Sequence, residues 1–388
     1  MTDHSPRPTH TASPNTMPHK TPAALVLAAG RSSRMGCGKM LLPLGGSTVL
    51  AQAVTRLREG GAHPVVVVTG HHREAVEGEA RQLGCPTVAN PDPEGDMFSS
   101  LRVGLSALPP KTRAVLVLPG DTPLVRPSTC RALTAALQNA DAVIPTFLQR
   151  GGHPVLLGRA ALASLATRPA PEGLRSVLSA PDLRVHRVPV PDSAILRDAD
   201  TPEDFAALTA YAAREEIPTG EEAEALLDLH HTPREVRRHA QATARAARAL
   251  GEALTRGGHA LDLPLLEAAA LLHDIAKGSR RHAEAGGSFL ASWGFAAVGA
   301  VVACHMDLDA PAPSREAEVL YLADKMLDGE TLCALEERRR RVTLRFREDP
   351  KALRGALARL DRARELEQRL NALLPAPVCS IFAEALAS

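Results

Sequence analysis

The sequence predicts two domains, an α/β domain on a mainly parallel sheet with helices on both faces, then an all-α domain. Three observations predict this order. The chain has 388 residues, about twice the ~100–200 residues of one domain. From Ala23 to about Asp192, short β-type runs alternate with amphipathic stretches, which is the pattern of βαβ units. From Glu221 onward no strand pattern appears, and segments rich in Ala, Leu and Arg recur at helical spacing. The boundaries follow: a disordered tail over 1–22, the α/β domain over 23–213, a linker over 214–230, and the helical domain with its C-terminal supporting helices over 231–388.

Taken in order, residues 1–22 are rich in Pro, Thr, Ser and His and hold no apolar run, so nothing there can bury a core. His4, His10 and His19 are read as solvated. The runs Ala24–Ala29, Val65–Thr69, Ala114–Leu118 and Ala142–Pro145 are the expected strands. Residues Arg214–Glu224 are dense in acid and contain Pro218 and Gly220, reading as a linker or a helix start. Beyond them the spacing predicts helices over Thr232–Thr255, Pro264–Lys277, Glu284–Trp293, Glu316–Arg341 and Lys351–Leu374.

Composition excludes several function classes. A net charge of +1 creates no field for nucleic acid or an anionic membrane. Seven Phe, two Tyr and one Trp are too few for base-stacking platforms. The six cysteines are scattered without a Cys-x-x-Cys pair, which argues against a disulfide framework and for reduced, cytoplasmic thiols. No stretch reaches the ~18 apolar residues of a membrane span.

The first chemical signal follows the first strand: Leu27-Ala28-Ala29-Gly30-Arg31-Ser32-Ser33-Arg34-Met35-Gly36-Cys37-Gly38-Lys39. Glycines let the backbone curl close to an anion, and Arg31, Arg34 and Lys39 can neutralise phosphates cradled by N–H groups. The spacing fits neither Walker A nor Gly-x-Gly-x-x-Gly. A second signal, Val115-Leu116-Val117-Leu118-Pro119-Gly120-Asp121-Thr122-Pro123, puts an acid just past a buried strand, where open α/β sheets bind ligands.

The Leu-Ala-Ala-Gly segment with its Arg-Met-Gly and Lys39 resembles the nucleotidyltransferases of the molybdenum-cofactor guanylyl- and cytidylyltransferase superfamily. The continuation Lys39-Met40-Leu41-Leu42-Pro43-Leu44 is more similar to the cytidylyltransferase branch. Further resemblance lies in Asn90-Pro91 and Gly95-Asp96-Met97-Phe98-Ser99-Ser100-Leu101-Arg102, where Asp96 stands between the family's Gly and Met. It continues in Gly151-Gly152-His153-Pro154 and in Asp198-Ala199-Asp200-Thr201-Pro202-Glu203-Asp204. The resemblance covers about Ala23 to Tyr211 and implies a Rossmann-like nucleotidyltransferase sheet. It also implies that Leu27, Ala28, Ala29, Gly30 and Arg31 hold nucleotide, with Arg34 and Lys39 on the triphosphate. Asp121 then matches a Mg²⁺-binding aspartate. Ser99 and Ser100 are expected to cap a helix whose N-terminus faces an anion. Asp198 is favoured as the second Mg²⁺ ligand, because Asp200 is expected to serve as the cap of the following helix.

In the second domain, His239, the adjacent His273-Asp274 after Ala268-Ala269-Ala270-Leu271-Leu272, and Asp324 can converge on one divalent ion. An ionisable pair abutting so apolar a helix needs a partner or a metal. Lys277, one turn from His273, is placed to meet a phosphate. This His, His-Asp, Asp order resembles the HD-domain metal phosphohydrolases, which implies a transition metal such as Mn or Fe. It also implies second-metal or phosphate roles for His282 and His305. His230, His231 and His259 are read as solvated, and Glu336–Arg341 as an exposed helical face.

Together these readings lead to a bifunctional enzyme. The expected N-terminal activity is CMP transfer from CTP to a molybdopterin-type phosphate, with a molybdoenzyme or its maturation chaperone as partner. A metal-dependent HD phosphohydrolase would follow. Two alternatives stay open: another base or acceptor, such as guanylyl or sugar-phosphate, and an HD domain that senses nucleotide or metal without turnover.

Overall fold

The computed structural model describes residues 21–31, 38–92, 95–168, 173–308 and 311–387. The tail histidines His4, His10 and His19, the cation Arg34 and Cys37 lie outside the described residues. Pro22, placed in the tail by the sequence, accepts a backbone hydrogen bond from His63 at 2.8 Å.

The N-terminal domain is one mixed sheet. Its strands are β1 (Ala23–Ala28), β4 (Val65–Thr69), β5 (Thr87–Ala89), β6 (Ala114–Pro119), β7 (Ala142–Phe147), β8 (Arg150–Gly151), β9 (Val155–Gly158) and β10 (Val185–Pro189). A small hairpin, β2 (Pro43–Leu44) with β3 (Ser47–Thr48), stands apart. The order is β10-β7-β9-β6-β1-β4-β5, with β8 on β7. β1 runs parallel to β4 and β6, β4 to β5, and β7 to β10, while β9 is antiparallel to β6 and β7. Every residue of β1 and β4 is buried, as continuous apolar runs covered on both faces require. Pro145 lacks an N–H, yet β7 tolerates it, because β9 pairs only with Ala142 and Val143. The short strands β5, β9 and β10 escape sequence reading: they have three to five residues, and β10 is half exposed at the sheet edge.

Helices cover both faces, as expected, and two apolar clusters lie on opposite sides of the sheet. Val26, Val67 and Leu118 face one, and Leu25, Val66 and Val117 the other. The helix Met97–Ser106 packs so closely that a Cβ on Gly104 would meet Val68 at 2.8 Å and Leu25 at 3.0 Å.

The second domain is mostly helical, with one departure. Residues Leu327–Asp328 and Thr331–Leu332 form an antiparallel pair, β11 and β12. The expected single helix over 316–341 therefore divides into Arg315–Lys325 and Leu335–Arg345. Gly329, at φ +60°, makes the turn between the two strands. The expected helix 264–277 likewise ends early, spanning Leu263–Leu272, after which Ile275 and Lys277 close tight turns and Gly278 takes φ +97°. The core is built on the long helix Arg234–Arg256, whose Ala246, Ala247, Leu250 and Leu254 are buried. Helices His282–Ser292 and Ala296–Ala303 pack backbone to backbone, since a Cβ on Gly287 would lie 2.5 Å from the Gly299 carbonyl. The second of these, Ala-Ala-Val-Gly-Ala-Val-Val-Ala, has no polar face and so gives no amphipathic signal.

The segment 214–230 is ordered. Thr219 and Glu222 form a reciprocal capping box for the helix Gly220–Leu229, which sends Ala223, Leu226 and Leu227 into the helical core. Fully buried Glu222 also accepts hydrogen bonds from the Ser193 backbone and hydroxyl and from the Tyr211 hydroxyl. Arg126 completes this seam, donating to Tyr211, the Glu215 carbonyl and the Gly294 carbonyl and stacking 3.9 Å from the Phe295 ring centre. Ser128 donates to the Trp293 carbonyl at 3.1 Å.

Candidate active sites

An open pocket of about 340 Å³ lies at the C-terminal ends of β1 and β6. Leu27, Ala28, Ala29, Gly30 and Arg31 form one wall, Gly95 to Met97 and Ser100 another, and Lys39, Asp121 and Asp200 the floor. Among the described residues a Cβ on Gly30 would meet no atom within 4 Å, so there the missing side chain leaves room in the pocket rather than relieving a clash. Arg31 donates to His71 at 3.3 Å. Lys39 is buried, with Nζ 2.6 Å from Asp121 and 2.9 Å from Asp200. Burial works against its ammonium, but the two carboxylates outweigh that and hold its pKa above the ordinary lysine value.

This geometry overturns the expectation that Asp200 is spent on a cap. Thr201 caps the helix Pro202–Ala212 in a reciprocal box with Asp204, which releases Asp200 to face Lys39. The Thr-x-x-Asp spacing at 201–204 is the sequence signal that could have revealed this. Asp198 is exposed and does not line the pocket. Partial burial and the nearby Asp200 and Asp121 carboxylates push its carboxyl above the ordinary value.

Neither Ser99 nor Ser100 is the cap of its helix, although Ser100 lines the pocket. Asp96 caps the helix Met97–Ser106 by accepting from the Ser99 N–H at 2.8 Å, so the residue that interrupts the Gly-Met pair has a local role. Asn90 donates to both serine hydroxyls at 3.0 Å. His153 lies beside this site. Burial pushes its imidazole below the usual histidine value, and its Nδ1 has no partner among the described residues.

In the helical domain the sequence-marked ligands come together. Among the described residues, two groups bring one donor atom per residue within 4.8 Å of one another: His239, His273 and Asp324, and Asp274, His282 and His305. Asp324 Oδ1 lies 3.2 Å from His239 Nε2 and 3.6 Å from His273 Nε2. Asp274 lies between the groups, with Oδ2 3.6 Å from His273 Nε2 and Oδ1 3.3 Å from His282 Nε2 and 3.6 Å from His305 Nε2. Lys277, half exposed, donates to Asp274 Oδ2.

Three rings are fixed from behind. The Nδ1 atoms of His239, His273 and His305 each lie 2.8 Å from a backbone carbonyl, of Gly329, Ala270 and Val302 respectively. An Nδ1–H donated there leaves each Nε2 with its lone pair facing the cluster. His273 Nε2 is fully enclosed with no hydrogen-bond partner among the described residues, an orphan that a metal ion would satisfy. Burial opposes ionisation of Asp274, yet His282, His305 and Lys277 hold its carboxyl well below the ordinary range. Asp324 behaves alike, with Lys325 and His239 overcoming burial. Nitrogen and carboxylate donors in this mixture suit a first-row transition ion.

His231 is exposed, and His230 packs edge-on against Phe289. Arg338 departs from the solvated-face expectation for 336–341, because it donates to the backbone carbonyls of Asp324 and Leu327.

Comparison with known proteins gives two family matches. Residues 24–187 match the MobA-like NTP transferase domain and residues 236–327 the HD domain. The chain is similar to the molybdenum cofactor cytidylyltransferase of Escherichia coli K12, at 29% identity over 182 residues, 47% of this chain and 92% of that protein. It is also similar to the bifunctional protein GlmU of Rhizorhabdus wittichii, at 37% identity over 128 residues, 32% of this chain and 28% of that protein. The chain thus spans less than a third of that relative's length. Among solved structures, Rv0371c of Mycobacterium tuberculosis aligns at 28% identity, covering 49% of this chain and 99% of that one, with a TM-score of 0.45. A nucleotidyl transferase of Methanothermobacter aligns at 25% identity over 50% and 99%, with a TM-score of 0.46.

Proposed function

We propose that this chain, a MobA-like NTP transferase domain fused to an HD domain, transfers CMP from CTP to a molybdopterin-type phosphate and hydrolyses a phosphoester at its HD domain. The observation that carries the transfer reading is the Asp121–Lys39–Asp200 arrangement on the floor of the glycine-walled pocket. An acceptor phosphate oxygen attacks the α-phosphorus of the nucleotide, the bond to the bridging oxygen breaks, and pyrophosphate leaves. Little of this needs covalent help from the protein, so position and charge neutralisation are what the site must supply.

Lys39 is the group that meets triphosphate charge, and the backbone of Ala28 to Arg31 cradles it, with Arg34 as a further cation. Asp121 and Asp200 are the oxygen donors that would hold Mg²⁺, with Asp198 adding negative charge from the rim. The ion, when bound, offsets charge on the triphosphate. CTP as donor and a molybdopterin-type acceptor are supported by the Lys39-Met40-Leu41-Leu42-Pro43-Leu44 continuation and by the likeness to a molybdenum cofactor cytidylyltransferase over 92% of its length.

For the HD domain, His239, His273, Asp274 and Asp324 would hold one divalent ion such as Mn or Fe, and Asp274, His282 and His305 a second. Such ions supply Lewis acidity toward a phosphoester. Lys277, half exposed at the edge of the cluster, is placed to meet the substrate's phosphate.

The test is a panel of nucleoside triphosphates with a molybdopterin acceptor, followed by pyrophosphate release, alongside phosphate release from nucleotides and phosphoesters. CTP should exceed GTP in kcat/KM, and equal or reversed values would overturn the base assignment. Metal uptake without phosphate release would reassign the HD domain to sensing.

A further inference from the structure

Lys325 is a buried cation that neither proposed reaction uses. Its side chain is only 7% exposed. Its Nζ lies 2.5 Å from Asp324 Oδ2 and 3.1 Å from the His305 carbonyl oxygen, with the Tyr321 ring centre 4.8 Å away. These two acceptors belong to different ligand groups, since Asp324 sits with His239 and His273, and His305 with Asp274 and His282. We propose that Lys325 is a positioning residue that fastens the two ligand groups to each other and presents Asp324 to a metal through Oδ1 alone. The proposal rests on the reading of this cluster as a metal centre.

Three features carry it. Adjacent residues on a helix do not face one another, yet Asp324 and Lys325 meet at the last turn of Arg315–Lys325. The lysine side chain therefore folds back over its neighbour. Second, occupying Oδ2 leaves only Oδ1 toward His239 Nε2 and His273 Nε2, which fixes one-oxygen ligation. Third, His305 is held twice, at its ring Nδ1 by the Val302 carbonyl and at its own carbonyl by Lys325. A buried ammonium is costly unless its hydrogen bonds are met, and both acceptors here sit on residues that define the cluster.

The experiment titrates the metal-stripped full chain with Mn²⁺ alone and reads free Mn²⁺ by electron paramagnetic resonance. Lys325→Met keeps the stem and removes the donor. It should weaken Mn²⁺ binding at least tenfold, within the roughly 10–100-fold range of lost outer-shell contacts. Lys325→Gln has a donor one bond shorter and reaches only one acceptor, so it should fall between wild type and Met. If the Met variant does not fold, the Gln variant decides, and wild-type affinity there overturns the proposal. Unchanged affinity in folded Lys325→Met also overturns it, as does a loss confined to metal-free thermal stability. A wild-type chain that takes up no Mn²⁺ overturns the metal reading and the proposal together.

Discussion

Asp200 accepts a hydrogen bond from Lys39 at 2.9 Å although 161 residues separate them. The contact closes the pocket floor from its two ends, because Lys39 follows the glycine-rich segment of sequence after β1 and Asp200 precedes the last helix of the domain.

Replacing either end should therefore slow transfer. Lys39→Ala and Asp121→Asn are expected to lower kcat/KM for pyrophosphate release by roughly 10²–10³, the usual cost of removing one charge-stabilising group. Asp200→Asn should cost at least about tenfold and Asp198→Asn less than about threefold, by the same reasoning on distance. Circular dichroism checks folding, and a larger loss for Asp198 than for Asp200 would restore Asp198 as the second ligand.

The two reactions should separate genetically. His273→Ala with Asp274→Ala should lose bound transition metal by elemental analysis and all phosphate release, since both ligand groups lose a member. Pyrophosphate release in the same double variant should stay within about twofold of wild type, because no transferase ligand is touched.

His153 sets an acid limit. Its pKa is lowered by burial, so below the ordinary value of about 6.5 the unfolded chain binds the proton and the folded one does not. Stability is therefore complete above 6.5 and lost as pH falls from there through the folded value. Thermal melts between pH 7 and 5 should show a smaller loss for His153→Gln than for wild type. Parallel curves would rule the residue out.

Arg126→Ala should destabilise the seam between the domains by about 1–3 kcal/mol, because it leaves the Glu215 and Gly294 carbonyls at the seam without their donor. Urea melts read by Trp293 fluorescence would detect it, since Trp293 lies at that seam. A variant as stable as wild type would show that the seam is held by packing alone.

Much of this was legible beforehand. β1, β4, β6 and β7 are long apolar runs, and His239, His273, Asp274, His282, His305 and Asp324 carry chemistry that few structural positions require. What escaped reading depends on distant partners. In the sequence Asp200 reads as a cap because its neighbours allow one, and only the Thr201–Asp204 box shows that the cap is already supplied. Lys325 is an ordinary lysine in the sequence, and its burial follows from the position of the His305 carbonyl 20 residues away. The hairpin 327–332 is too short for periodicity to register, and one glycine at positive φ decides it.

That hairpin also sets a timetable. His239 is oriented by the Gly329 carbonyl, which lies 90 residues further along the chain. At the ~5–20 residues per second of protein synthesis, the imidazole leaves the ribosome several seconds before the group that fixes its tautomer. Asp324 arrives with the same late stretch. On the reading of this cluster as a metal centre, an ion met by the nascent chain in that interval would find His239 without its carboxylate or its orienting carbonyl, so faithful loading would wait until translation has passed the hairpin.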